Sequence, residues 1–259
     1  MNRRQTIWGA QLAIVALCAL ALKQYYSTGT ANELRWMLAP TTFIVELLSG
    51  RSFTFESYTG YMSNDHTFVI AVSCAGVNFL IMAFVMLSLR RLWQGRFESV
   101  SWRFLPASMA IAYVTTVIAN AVRICVALEI QRRGFEVGGL SENQLHRLEG
   151  IAVYFGFLML LYLVMERRYL WFPLVTYYVM TVGVPIVNGS FHRVGFWEHF
   201  GFVMVMPLVI LLPALIVRRV GTRFTGFSKI YMSKRSDGPC ARRSQRTLRY
   251  PSARSCDAG

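Results

Sequence analysis

Six stretches of this chain meet or approach the length and apolarity of a bilayer span, and little else restricts the fold as strongly. They are Ile7–Leu22, Phe68–Leu89, Leu105–Leu128, Gly150–Met165, Leu170–Val187 and Gly201–Val217. A hydrocarbon core takes roughly 17 to 25 mostly apolar residues as a helix. The expected fold class is therefore an all-α integral membrane protein with six transmembrane helices. The first stretch follows basic Asn2-Arg3-Arg4, as a signal peptide would. No small-residue cleavage site precedes Lys23, and Tyr25-Tyr26 follows, so it is read as an uncleaved span. A seventh apolar segment, Leu34–Leu48, is short and carries Arg35, Pro40 and Glu46, and is read as interfacial or re-entrant.

Charge tests this count. The 259 residues hold 27 Lys and Arg against 13 Asp and Glu, a formal net charge of +14. Such a balance ordinarily raises nucleic acid as a partner. Here only 15% of residues are charged and 54% are hydrophobic, where a soluble domain carries about 25% charged residues. With six spans and the N-terminus inside, the inner segments 1–6, 90–104 and 166–169 carry eight Arg. The much longer outer segments 23–67, 129–149 and 188–200 carry seven Lys or Arg. That asymmetry follows the positive-inside rule, with both termini cytoplasmic. Counting 34–48 as a span would turn the Arg pairs and the tail outward.

The expected domains are a polytopic membrane body, 1–217, and a basic tail, 218–259. The tail holds eleven Lys or Arg, is rich in Ser, Gly and Pro, and is read as disordered. It offers positive charge to anionic membrane lipids. Most of the excess charge is thereby an orientation signal, and no nucleic-acid partner is expected. The five cysteines (18, 74, 125, 240, 256) form no CxxC pair and no zinc spacing.

Polar residues inside apolar runs locate the chemistry. Arg123 lies within a span, about five residues from its outer end, where an ionised group is costly unless it meets water or a partner. Snorkelling to the interface is the plain alternative. Asn120, three residues earlier, projects from the same face. Cys74 lies six residues inside the Phe68–Leu89 span, roughly 9 Å deep at ~1.5 Å per residue. It could equally be a small helix-contact residue. Asn78, four residues on, shares its helical face. His146 follows Ser141-Glu142-Asn143-Gln144, a capping-box pattern that starts a helix running into the membrane. Otherwise it is an ordinary loop histidine.

Topology sets Cys74, Asn120, Arg123 and His146 at similar depth near one membrane face. A nucleophile, a base and an anion stabiliser are what acyl transfer requires. Cys74 would attack a peptide carbonyl, and His146 would move the proton. Arg123, with Asn120 or Asn78, would stabilise thiolate and oxyanion. His66, eight residues before Cys74 on the same expected helix, is a rival base. All four histidines (66, 146, 192, 199) fall outside with Asp65 and Glu198, but no HxxxH or HExxH spacing supports a metal site, and no metal or cofactor is expected. The competing class is a transporter or channel with Asn120 and Arg123 along its path; the paired broken halves of such proteins are not seen.

The run Cys74-Ala75-Gly76-Val77-Asn78-Phe79 resembles the C-(A/S)-G motif of the exosortase/archaeosortase family of membrane cysteine transpeptidase-like enzymes. Ala119-Asn120-Ala121-Val122-Arg123 resembles its A-N-x-x-R motif, and His146 follows at the expected order and distance. The resemblance covers about residues 40–165, and its nearest subtype is the exosortase K branch. It implies a Cys74, Arg123, His146 triad at the outer face of the bacterial cytoplasmic membrane. It implies as partners exported proteins with a C-terminal motif, a transmembrane helix and a basic cluster. These would be cleaved and transferred to a surface acceptor. The long basic tail and the 34–67 segment depart from that pattern.

Overall fold

Four helical stretches are long and apolar enough to cross a membrane: Gln5–Thr28, Val72–Gln94, Phe104–Arg133 and Gln144–Met165. They coincide with the first four expected spans. The computed structural model describes residues 3–94, 101–134, 141–165, 169–187, 189, 196–197 and 200–213. The fifth and sixth expected spans are apolar but shorter helices, Trp171–Ile186 and Phe200–Pro213. The chain divides into two units, Met1–Ile210 and Leu211–Gly259. The basic tail from Arg218 lies outside the described residues.

The helices of the first unit are α1 (Arg3–Thr28), α2 (Arg35–Ser49), α3 (Val77–Gln94), α4 (Phe104–Arg133), α5 (Glu142–Met165), α6 (Trp171–Tyr178) and α7 (Val184–Val187). A π turn, Val179–Gly183, joins α6 to α7. α3 is the centre: Val77, Phe79, Leu80, Ala83, Phe84 and Met86 are all buried, and α1, α4, α5 and α6 pack around it. A helix apolar on every side is stable only when surrounded. The outer helices turn apolar residues outward instead, with Leu20 of α1 67% and Val164 of α5 76% exposed. Apolar surface on that scale suits lipid rather than water.

The segment at 34–48 is α2, and its two odd residues are accounted for by what they hold. Pro40 has no N–H, so the Trp36 carbonyl four residues earlier loses its helical donor. Tyr113 of α4 supplies one, its hydroxyl donating to Trp36 O at 2.9 Å while the rings stack at 5.7 Å. Glu46 accepts the backbone N–H of Phe53 at 2.7 Å, tying α2 to the segment that follows.

That segment adds a small sheet to a mostly helical chain. Residues 53–70 form a three-stranded antiparallel sheet, β1 (Phe53–Glu56), β2 (Gly60–Ser63) and β3 (Val69–Ile70), in that order. Phe53 pairs with Ser63 and Tyr61 with Ile70. The alternation Phe-Thr-Phe-Glu suits a strand with one covered face. Gly60 is required, since a Cβ there would lie 2.3 Å from Ile70 O. His66 sits in the β2–β3 turn at φ 56, with Nδ1 2.9 Å from Met62 Sδ. It is not on the helix of Cys74, as its rival-base role assumed.

The expected Phe68–Leu89 helix also starts later. Val69 and Ile70 give their backbone groups to the sheet, Val72–Cys74 makes one 3-10 turn, and Gly76 at φ +73 interrupts before Val77 begins α3.

Candidate active site

Cys74 thus stands in the 3-10 turn at the head of the Val72–Gln94 stretch, just before α3, rather than six residues within a continuous helix. Its N–H bonds Ala71 O at 2.8 Å, and Ala75 N–H bonds Val72 O at 3.0 Å, closing the turn. Gly76 then takes the left-handed conformation that costs a residue with a Cβ about 1–2 kcal/mol. A Cβ at that position would also lie 3.1 Å from Asn120 Cγ. Glycine here lets the turn redirect and lets α4 come close. The Cys74 thiol is free and half-buried.

The late start of α3 separates Asn78 from Cys74, so the two do not share a helical face. Asn78 is exposed, and its Oδ1 accepts from Lys23 Nζ of α1 at 2.9 Å. The expected supporting role for Asn78 therefore has no contact behind it. Asn120 does make the contact. Fully buried on α4, it donates Nδ2–H to the Cys74 carbonyl, and its Oδ1 accepts from Tyr154 Oη at 2.8 Å.

Tyr154 in turn accepts from Arg123 Nη1 at 3.0 Å, and Arg123 Nη2 lies 3.0 Å from His146 Nε2. On the far side of the imidazole, Nδ1 lies 3.3 Å from Glu149 Oε2. That is ion-pair reach, with an alignment short of a hydrogen bond. The direction of the whole chain follows from one fact: a guanidinium only donates. Nε2 of His146 must then be the acceptor, which puts the ring proton of the neutral form on Nδ1, toward Glu149. Tyr154, having accepted from Arg123, spends its proton on Asn120, and the Asn120 amide is oriented with NH₂ toward Cys74.

The local sequence of α5 places three of these groups. Ser141 and Gln144 cap its start reciprocally, with Ser141 N–H to Gln144 Oε1 at 2.9 Å and Gln144 N–H to Ser141 Oγ at 3.3 Å. This is the geometry the capping box predicts. His146 therefore falls in the first two turns. Glu149, Gly150 and Tyr154 follow at helical spacings of three, four and eight, which line one face. Arg123 passes beside Gly150, where a Cβ would sit in ordinary contact with Nε at 3.5 Å. Phe79 of α3 stacks on Tyr154 at 5.0 Å between ring centres and holds the phenol in place.

Of the expected site residues, the structure ties Cys74, Asn120, Arg123 and His146 into one connected set. Cys74 joins through its carbonyl, not its thiol. Tyr154, Glu149 and Gly150 are additions that sequence reasoning passed over, while Gly76, named there only within a motif, gains its role from the close approach of Asn120. The signal for those additions was the face that His146, Glu149 and Tyr154 share on α5. Among the described residues, no group of three or more His, Cys, Asp or Glu is placed to hold a metal ion. His192, Glu198 and His199, three of the groups weighed for an external metal site, lie outside the described residues.

Chemically, the set combines a thiol, an imidazole with a defined basic nitrogen and a fixed cation, all at one end of the bundle. Comparison with family models, with curated proteins and with solved structures returned no match to this chain.

Proposed function

We propose that this chain is a membrane-embedded cysteine peptidase or transpeptidase of the exosortase/archaeosortase type. In this reading it cuts exported proteins beside a C-terminal transmembrane helix, at the outer face of a bacterial cytoplasmic membrane. One observation carries it: Cys74, Arg123 and His146 come from three separate segments and converge in a single directional chain of hydrogen bonds. The six-span topology with both termini inside belongs to the same reading. It makes Trp171–Ile186 and Phe200–Pro213 the last two crossings, and sets the site where a substrate helix leaves the bilayer.

The chemistry follows from the proton positions. Cys74 Sγ attacks the carbonyl carbon, forming C–S as S–H breaks, and the proton passes to His146 Nε2. The carbonyl electron pair moves to oxygen, where Arg123 meets the developing charge. On collapse the C–N bond breaks, His146 returns its proton to the leaving amine, and a thioester remains for water or an amine acceptor. In the resting chain Arg123 Nη2 occupies Nε2. The guanidinium must turn away first, and the substrate carbonyl oxygen is the acceptor that replaces the imidazole.

The test is Cys74→Ala and Cys74→Ser in cells carrying an exported protein with a C-terminal apolar helix and an Arg cluster. The uncleaved precursor is expected to accumulate, with processing down by roughly 10³-fold or more, as for removal of a nucleophile. Full processing by Cys74→Ala would overturn the nucleophile assignment and shift weight to a transport role for Asn120 and Arg123.

A further inference from the structure

We propose that Glu149 is a positioning residue, holding His146 by Nδ1 so that Nε2 is the nitrogen that exchanges a proton with the thiol. The proposal rests on the reading above, in which His146 is the acid–base group.

Glu149 is conspicuous by its cost. Its side chain is only 4% exposed while that of His146 is 49% exposed. Neither carboxylate oxygen has a hydrogen-bond partner. A carboxylate taken out of water without bonds is a large penalty, which a leucine at the same helical position would avoid. Glu149 nevertheless stands three residues from His146 on one face, its Oε2 3.3 Å from Nδ1. The reciprocal Ser141–Gln144 cap fixes where α5 begins, and with it the relative placement of the two side chains.

The groups facing the imidazole have distinct effects. Arg123, from α4, occupies Nε2 in the resting state and disfavours a second positive charge there. Tyr154, Cys74 and Glu149 all lie within electrostatic reach of Arg123, and Tyr26 of α1 lies within reach of both Cys74 and Arg123. Glu149 is the group at Nδ1. When Arg123 turns to the substrate, Arg123 no longer dictates which ring nitrogen carries the proton; Glu149 still does. When Nε2 then takes the thiol proton, the imidazolium forms beside a carboxylate already in place. Carboxylate partners on the far nitrogen of a working histidine fix the tautomer and orient the ring in the same way.

The experiment compares wild type with Glu149→Asp, Glu149→Gln and Glu149→Leu in proteoliposomes, with Cys74→Ala alongside. The probe is a reporter ending in the C-terminal helix and Arg cluster of an exported protein from the same host. Glu149→Leu is expected to lower kcat about 10²-fold, the upper range for a second-sphere partner, with KM within about twofold. Glu149→Gln, which still accepts Nδ1–H but without charge, should fall between. Glu149→Asp should recover most of the rate. If Glu149→Leu does not fold, the near-isosteric Gln and the Asp variants decide. Wild-type kcat in Glu149→Gln and Glu149→Leu, beside an inactive Cys74→Ala, would overturn the positioning role alone. So would loss in KM rather than kcat, or an Asp variant no better than Gln. An active Cys74→Ala would overturn the underlying reading.

Discussion

Arg90 and Arg123 lie at opposite ends of the same helical bundle and meet opposite kinds of partner. Arg90, near the end of α3, donates Nη2 to the carbonyl of Met165, the last residue of α5, at 2.8 Å. At that end Trp8 Nε1 also donates to the Leu92 carbonyl, at 3.3 Å. The last carbonyls of any helix lack an intrahelical donor, so these bonds answer a demand of the backbone. Arg123 donates instead to a tyrosine hydroxyl and an imidazole nitrogen. Neither group is required by a helix, and apolar residues in their place would pack without desolvation cost. An arginine in an apolar bundle is thus explained by its partners: at one end it completes helices, and at the other it joins a set of reactive side chains.

The sharpest way to break this contrast is to change both arginines to lysine. Lysine carries a compact ammonium in place of the planar fork whose two nitrogens reach separate acceptors. Arg123→Lys keeps the charge but loses the paired Nη1 and Nη2 geometry toward Tyr154 and His146, and in the proposed reaction it holds the oxyanion less well. Processing is expected to fall about 10²- to 10³-fold, the scale of removing one oxyanion donor. Arg90→Lys still offers a donor to Met165 O and should stay within about twofold, by the modest net worth of such a bond. Initial rates of precursor cleavage measure both. Equal losses would erase the distinction between the two ends.

Tyr154→Phe probes the middle of the chain with a smaller effect. Deleting the hydroxyl strands Asn120 Oδ1 in a fully buried site and takes one acceptor from Arg123. Leaving buried polar groups unpaired costs roughly 1–3 kcal/mol, or about tenfold or more in an equilibrium. The thermal midpoint and the cleavage rate should both fall. Trp8→Phe, at the other end, removes one donor from the Leu92 carbonyl and should lower only the midpoint. A Tyr154→Phe variant as stable as wild type would mean that the Asn120–Cys74 contact stands without the phenol.

The two ends also differ in how far the sequence revealed them. Arg123, Asn120 and Cys74 were legible because a polar group in an apolar run has a cost that demands a reason, and His146 because a capping box placed it on a helix. Tyr154 was not, since tyrosine is amphipathic and raises no alarm inside a span. Glu149 was counted as the last residue of a loop; its burial depends on where α4 passes, which local sequence does not encode. Spans were legible from length and hydropathy alone, as α1, α4 and α5 illustrate. The start of α3 was not, because Phe68–Ile70 is apolar enough for either helix or strand and only pairing with β2 decides it. The sheet itself rests on two four-residue strands, a two-residue strand and a glycine turn, signals too short to separate from a loop. The shared helical face expected of Asn78 and Cys74 fails for the same reason: the left-handed Gly76 interrupts the helix between them.

Asp65 is the control that lies at neither end, in the turn between β2 and β3. Its carboxylate accepts from Ser63 and Thr67 side chains and from the Thr67 N–H, with Arg51 3.7 Å away adding least, and these hold its pKa down to about 2. A carboxyl depressed in the folded state contributes stability that is fully present above its unfolded value, near 3.9. The contribution is lost as pH falls through the folded value. Wild type should therefore exceed Asp65→Asn in thermal midpoint by a small, constant margin from pH 5 to 7. The margin should shrink below pH 4 and close near pH 2. Because the group is fully solvated and screened, the difference should also diminish in high salt. Cleavage rates of the two proteins at pH 7 should agree. A rate defect in Asp65→Asn would carry the reactive set beyond the bundle end and into the sheet.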